Sequence, residues 1–280
     1  LGEYRGLKSP FTTQESTMTK RAICIGINDY PGTQNDLNGC VNDATDWAAA
    51  LTKRGYAVTK LLNGQATKAA MVGAISDLVG SAAKGDTVVI TYSGHGTWVP
   101  DTSGDEPDGR DEGLCPWDIG QGKVLLDDEL SGLLGHRAAG VRVVLISDSC
   151  HSGSVSRGDT SELDAGAPRA RFLPPEVWMP AGSVKPDAPT PRKVLGGLSR
   201  AGGDLLVAAC QDSEYSWDTS FNGRPNGAFT FYALKALATN PDTFAKWMAK
   251  ITPGYLPSSQ LPQKPQLFGA ASARRWKTLA

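Results

Sequence analysis

The sequence predicts an α/β domain built on a mostly parallel central β-sheet with helices on both faces. Short runs of continuously apolar, β-branched residues recur at 22–27, 58–62, 86–92, 141–147 and 204–210, the pattern of strands buried on both faces. Segments of helical periodicity alternate with the first of these runs, and that alternation is the mark of a parallel sheet sandwiched by helices. The 280 residues, 40% hydrophobic and 20% charged, are enough for one such domain with a sizeable core.

Each element follows from its residues. Leu1 to Thr17 has no apolar periodicity and precedes Met18-Thr19-Lys20, so residues 1–20 are read as a mobile extension, compatible with an expression leader, outside the fold. Ala22 to Ile27 forms the first strand, closed by the turn residues Asn28-Asp29-Tyr30-Pro31-Gly32. Between Asn38 and Arg54, Val41, Ala44, Trp47, Ala48 and Leu51 recur at helical spacing, and Gly55 follows as a stop. Val58 to Leu62 makes a short second strand. Met71, Val72, Ile75, Leu78, Val79 and Ala82 place a helix over 67–83. After the strands at 86–92, 141–147 and 204–210, Gly227–Thr239 and Asp242–Ile251 read as helices, and Pro265-Gln266-Leu267-Phe268 as a terminal edge strand. Two stretches break the rhythm and read as loops: Pro100 to Gly122, dense in Asp, Gly and Pro, and 157–191, rich in Pro, Ala and Arg. Loops beyond about 15 residues in a compact domain are usually functional or disordered. The single domain is expected over 21–270, with a C-terminal tail at 271–280.

Composition excludes several classes. With 28 Lys+Arg against 29 Asp+Glu the net charge is −1, which gives no case for a nucleic-acid partner. No run of about 18 apolar residues offers a membrane span, and no basic segment leads into an apolar stretch at the N-terminus; a cytoplasmic protein without a membrane partner is expected. Cys24, Cys40, Cys115, Cys150 and Cys210 are odd in number, widely spaced and free of any C-x-x-C pair, which argues against a disulfide framework or a zinc site. Reduced thiols are expected, one of them a candidate nucleophile.

In open α/β sheets the reactive groups sit at the carboxyl ends of strands. The strand at 86–92 runs into Ser93-Gly94-His95-Gly96, and the strand at 141–147 into Asp148-Ser149-Cys150-His151-Ser152-Gly153. If these strands are neighbours, His95 and Cys150 face each other as a Cys–His pair requires, with the imidazolium of His95 favouring the thiolate. Glycine on both sides of His95 leaves room for a substrate backbone and a free N–H for an oxyanion. His136 is expected on a surface helix, and His151 points away from Cys150 in an extended backbone. Period-two alternation puts Asp148 on the side of Cys150 and Ser93 on the side of His95.

Tyr92-Ser93-Gly94-His95-Gly96 and Asp148-Ser149-Cys150-His151-Ser152-Gly153 resemble the two catalytic motifs of metacaspases, caspase-fold cysteine peptidases that cut after Arg or Lys. The 55 positions from His95 to Cys150 compare with about 50 in caspases. Asn38-Gly39-Cys40-Val41-Asn42-Asp43-Ala44 is similar to the family's motif on the first helix, so the resemblance covers about 21–270. It implies a caspase-like sandwich and peptide hydrolysis by a Cys150–His95 dyad with no obligatory third carboxylate. The oxyanion is expected on the N–H groups of Gly96 and Cys150. The resemblance assigns Cys40, Asp43, Ser93 and Asp148 to the primary specificity pocket. Two carboxylates there favour a cationic P1 side chain, Arg over Lys through bidentate pairing. Gln211 to Asp218 is expected as a wall of the cleft.

Clustered carboxylates between Asp101 and Asp118, followed by Asp127, Asp128 and Glu129, offer the hard oxygens that Ca²⁺ takes. The resemblance implies calcium activation and matches Asp111, Asp127 and Asp128 to three of four ligand positions. The fourth holds Arg157, with Asp159 as a substitute. The 157–191 segment carries Arg157, Arg169, Arg171 and Lys185, sites at which an enzyme specific for basic residues could process itself as a zymogen. Protein or peptide substrates and a monomer are expected, the end at 257–268 reading as a protected edge. The competing readings are a caspase-fold peptidase of other P1 choice and a catalytically weak calcium-binding or scaffold module.

Overall fold

The structure, a computed structural model, describes residues 18–101, 109–150, 168–182, 204–211 and 214–280. Strand and helix alternate through β1 (Lys20–Gly26), α1 (Cys40–Thr52), β2 (Ala57–Leu62), α2 (Lys68–Gly80) and β3 (Thr87–Ser93). An excursion follows: β4 (Gly96–Pro100), β5 (Arg110–Leu114) and β6 (Leu125–Leu126), then α3 (Asp127–Gly135) and β7 (Arg142–Asp148). The remainder comprises β8 (Arg169–Ala170), α4 (Pro175–Trp178), β9 (Asp204–Ala208), β10 (Trp217–Phe221) and β11 (Arg224–Gly227). Helices α5 (Ala228–Leu237) and α6 (Phe244–Ile251) precede β12 (Gln266–Gly269).

The main sheet has the order β12-β9-β7-β3-β1-β2, and every neighbouring pair is parallel except the terminal β12 with β9. Alternate strand residues divide the core in two. Ile23, Ile25, Val88, Ile90, Val143 and Leu145 share one cluster with Met71, Ile75 and Val79 of α2 and Leu130 and Leu134 of α3. Ala22, Cys24, Val89, Val144 and Ile146 share the other with residues of α1, α5 and α6, among them Trp47, Phe229 and Trp247. Both faces are buried, which is why these strands read as unbroken apolar runs. The α/β class and the mostly parallel sheet with helices on both faces are as the sequence predicts.

Two stretches expected as loops carry structure. Within 100–122 the chain forms β5, antiparallel to β4, and a 3₁₀ turn at Ile119–Gln121. Arg-Asp-Glu-Gly-Leu offers a single apolar side chain, so strand periodicity has nothing to register. Within 157–191, β8 pairs antiparallel with β10, and α4 follows. A two-residue strand is imposed by its partner, 47 and 49 positions downstream at the two pairs, rather than by local pattern. Near the C-terminus Ala273 and Leu279 are buried, and the Thr278 N–H donates to the Asp242 carbonyl at 3.3 Å. Among the described residues no helix is long and apolar enough to cross a membrane.

Candidate active site

β3 and β7 lie side by side at the centre of the sheet, with Ser93 opposite Asp148. His95 and Cys150 each follow two residues later, so both hang from the carboxyl ends of adjacent strands, and both are buried. Gly94 between Ser93 and His95 is sterically required, because a Cβ there would stand 2.5 Å from the Tyr30 hydroxyl and 2.6 Å from that of Tyr92. Those hydroxyls fix the turn. Tyr30 accepts the His95 N–H at 2.8 Å, and Tyr92 donates to the His95 carbonyl at 2.6 Å.

The His95 ring is oriented by a main-chain group. Its Nε2 lies 2.7 Å from the Asn35 carbonyl, which can only accept, so Nε2 carries the proton and Nδ1 the lone pair. Nδ1 has no hydrogen-bond partner among the described residues. Burial holds the imidazole pKa down at about 4, against a partial offset from the Asn35 carbonyl, so the ring is neutral at pH 7. With Nε2 held by the Asn35 carbonyl, Nδ1 is the ring nitrogen left to exchange a proton. The Cys150 sulfur receives the Ser216 N–H at 2.5 Å and lies 3.4 Å from the Ser216 carbonyl. Cys210 hydrogen-bonds to it, which together with burial raises the Cys210 pKa well above the ordinary thiol value.

The chain itself lies in this site. The Arg171 carbonyl oxygen accepts from the Gly96 N–H at 3.0 Å and the Cys150 N–H at 3.1 Å, the two donors expected at an oxyanion. The Arg171 N–H donates to the Ser216 carbonyl at 2.9 Å. Its fully buried guanidinium contacts three carboxylates: Nη2 stands 2.6 Å from Asp43 and 2.9 Å from Asp218, and Nη1 3.2 Å from Asp148. Asp43 and Asp148 were expected here. Cys40 is buried within the same field, its thiol pushed well up by burial and partly offset by Arg171. Ser93 is buried opposite Asp148.

Three buried carboxylates around one cation need further donors, and two helix N-termini supply them. Asp218 accepts the Asn38 N–H at 2.7 Å and the Gly39 N–H at 3.0 Å, at the start of α1. At the start of α5, Asp43 accepts the Gly227 N–H at 3.0 Å, and Asp148 accepts the Thr230 N–H at 2.9 Å and its hydroxyl at 2.7 Å. Gly227 also forms the pocket wall, where a Cβ would collide with the Asp148 carboxylate and the Arg171 guanidinium. A Gly227→Ala variant should therefore stay folded, as read from the thermal midpoint, yet displace the Arg171 guanidinium from Asp148 in a crystal structure; an unmoved guanidinium would refute the placement.

Asp218, Ser216 and the Asn35 carbonyl were not singled out from sequence. Asp218 fell within a stretch expected as a cleft wall, but nothing local marks it as a pocket carboxylate. The Asn35 carbonyl belongs to the backbone and has no signature in a side-chain pattern.

The expected calcium ligands lie elsewhere. Pairing of Gly113 with Leu126 sets the strand end bearing Asp111 beside Asp127 and Asp128, which open α3. Among the described residues no three or more His, Cys, Asp or Glu side chains gather to hold a metal. Arg157 and Asp159 lie outside the described residues, as does His151.

Comparison with known proteins gives a consistent answer. Residues 20–157 match the family model described as metacaspase, peptidase C14 domain. The chain is 30% identical to Metacaspase-1 of Mycosarcoma maydis over 89% of its own length and 69% of that protein. It is 40% identical to Metacaspase-4 of Arabidopsis thaliana over 49% of its length, an alignment that spans about a third (34%) of the plant protein. The crystal structure of protein GSU0716 from Geobacter sulfurreducens superposes with a TM-score of 0.72 at 32% identity, covering 94% of this chain and 98% of that one.

Proposed function

Because the chain belongs to the metacaspase family of cysteine peptidases, we propose that it is an endopeptidase specific for Arg at P1 and that the Arg171–Phe172 bond is its own first substrate. The observation that carries this reading is the placement of Arg171, with its side chain among three carboxylates and its carbonyl on the Gly96 and Cys150 N–H groups. Asp148 meets Nη1 while Asp43 and Asp218 meet Nη2, a spread that the single ammonium of Lys cannot reproduce. An Asp at P1 would add a fourth buried carboxylate.

In this mechanism the Cys150 thiol gives its proton to His95 Nδ1 as sulfur attacks the P1 carbonyl carbon. The Gly96 and Cys150 N–H groups take up the negative charge developing on oxygen, a contribution of about 3–4 kcal/mol per donor in comparable sites. His95 then protonates the leaving amine, the C–N bond breaks, and water hydrolyses the thioester with His95 again as base. The Asn35 carbonyl holds the ring in the tautomer that leaves Nδ1 free.

Matched fluorogenic peptides with Arg, Lys or Asp at P1, tested in millimolar CaCl₂ and in excess EDTA, check the reading. Arg should be cleaved fastest, Lys about 10-fold or more slowly, and Asp not at all; equal rates for Arg and Asp would sink it. The EDTA arm tests calcium dependence through Asp111, Asp127 and Asp128, and no catalytic step above is routed through that ion.

Acid should weaken substrate binding before it touches the base. Burial raises the Asp43 carboxyl to about 6 even with Arg171 beside it, and without a cation its pKa lies higher still. Protonation removes a charge that holds Arg, and kcat/KM reports the cation-free site, so kcat/KM should fall as pH drops, with a midpoint at or above about 6 and before the His95 ring titrates. A profile flat down to pH 5 would contradict this assignment.

A further inference from the structure

We propose that the site holding Leu173 is a second primed-side subsite, and that preferred substrates carry a leucine-class residue two positions after the cleaved bond. The inference rests on the reading of Arg171 as a P1 residue and extends it to the other side of the bond. Past Arg171 the chain runs parallel to β4, with Phe172 bridged to Gly96. Gly96 grips both sides of the bond: its N–H donates to the Arg171 carbonyl at 3.0 Å, and its carbonyl accepts the Leu173 N–H at 2.9 Å. This fixes the register, so the residue at 173 must point where Leu173 does.

Burial along the segment is lopsided. Arg169 and Ala170 are only partly buried, and the Arg169 guanidinium reaches no further than the Asp36 carbonyl, at 2.9 Å. Phe172 is also partly exposed, its ring tilted 6.4 Å from that of Tyr215. Leu173 is 0% exposed and belongs to the apolar cluster that includes Tyr30, Tyr92, Leu114 and Cys115. Among residues 169–173, Leu173 is therefore the one side chain besides Arg171 that is fully buried, which places it at P2′. Apolar pockets discriminate by fit, about 10- to 200-fold per methylene, and a charged side chain there would be buried unpaired.

Internally quenched peptides Arg-Ala-Arg-Phe-X-Pro test this, with X as Leu, Met, Ala or Asp, using full chain whose self-cleavage has run to completion. An Arg-aminocoumarin peptide, which has no residue at P2′, reports P1 recognition separately. Leu and Met should fall within about 3-fold of each other, Ala about 10-fold lower and Asp about 100-fold lower. Cleavage of Arg-aminocoumarin with a flat response to X, the outcome if Leu173 is only a fixed core residue, overturns the proposal while sparing the P1 reading. No cleavage of any Arg substrate overturns both. Within the chain, L173M should process at Arg171–Phe172 at close to the wild-type rate, whereas L173D should not, as read from fragment masses.

Discussion

Replacing Cys150 by Ala should abolish hydrolysis of Arg peptides, with kcat/KM falling at least about 10³-fold and the fold intact. The Cys150 sulfur, at the carboxyl end of β7, lies against the Ser216 backbone, and its residue supplies one of the two N–H donors to the Arg171 carbonyl. Cys210 does not replace it, because its thiol is buried and held protonated beside Cys150. H95A should cost about 10²- to 10⁴-fold, since the neutral ring supplies proton transfer rather than a standing charge. Both losses are measured with Arg-aminocoumarin at saturating and limiting substrate. Residual turnover above about a tenth of wild type in C150A would mean that the chemistry lies elsewhere.

After loss of either member of the Cys150–His95 pair, replacing Asp218 by Asn should have the largest effect, and it separates specificity from chemistry. Asp218 accepts from Arg171 Nη2 and from the main-chain N–H groups of Asn38 and Gly39, which lead into α1, so both its oxygens are acceptors. An amide there turns an NH₂ toward a donor and removes one of three charges facing the guanidinium. Truncating one partner of a buried charge pair typically costs about 2–5 kcal/mol, roughly 30- to 4000-fold in kcat/KM for an Arg substrate. Turnover of a P1 Gln peptide, which has no cation to hold, should change far less, so the Arg-to-Gln selectivity ratio collapses. An equal loss on both substrates, with a lowered thermal midpoint, would instead assign Asp218 to support of α1 alone.

How much of this was legible in the sequence depended on whether the cause was local. The strands of the central sheet were readable because Ala22 to Ile25, Val88 to Ile90 and Val143 to Ile146 are buried on both faces and must all be apolar. His95 and Cys150 were readable because each closes such a run. The short strands β5 and β8 were not, since charged Arg110, Asp111 and Glu112 and the pair Arg169–Ala170 owe their extended form to tertiary partners. Asp43 and Asp148 stood out through motif and alternation, but Asp218 meets them from 175 and 70 positions away, across an antiparallel sheet with no apolar signature. Arg171 was visible as one of several basic residues in a long segment. That it alone among the described residues fills the carboxylate pocket follows from the pairing of β8 with β10.

The most direct test of the central claim is the intact mass of the purified full chain over time, for wild type, C150A and R171Q. Seating of Arg171 as a P1 residue predicts two wild-type fragments, one ending at Arg171 and one beginning at Phe172, with the bond whole in both variants. A bond at 171–172 that stays uncut in a wild-type protein turning over Arg peptides, or that is cut equally in C150A, would contradict it.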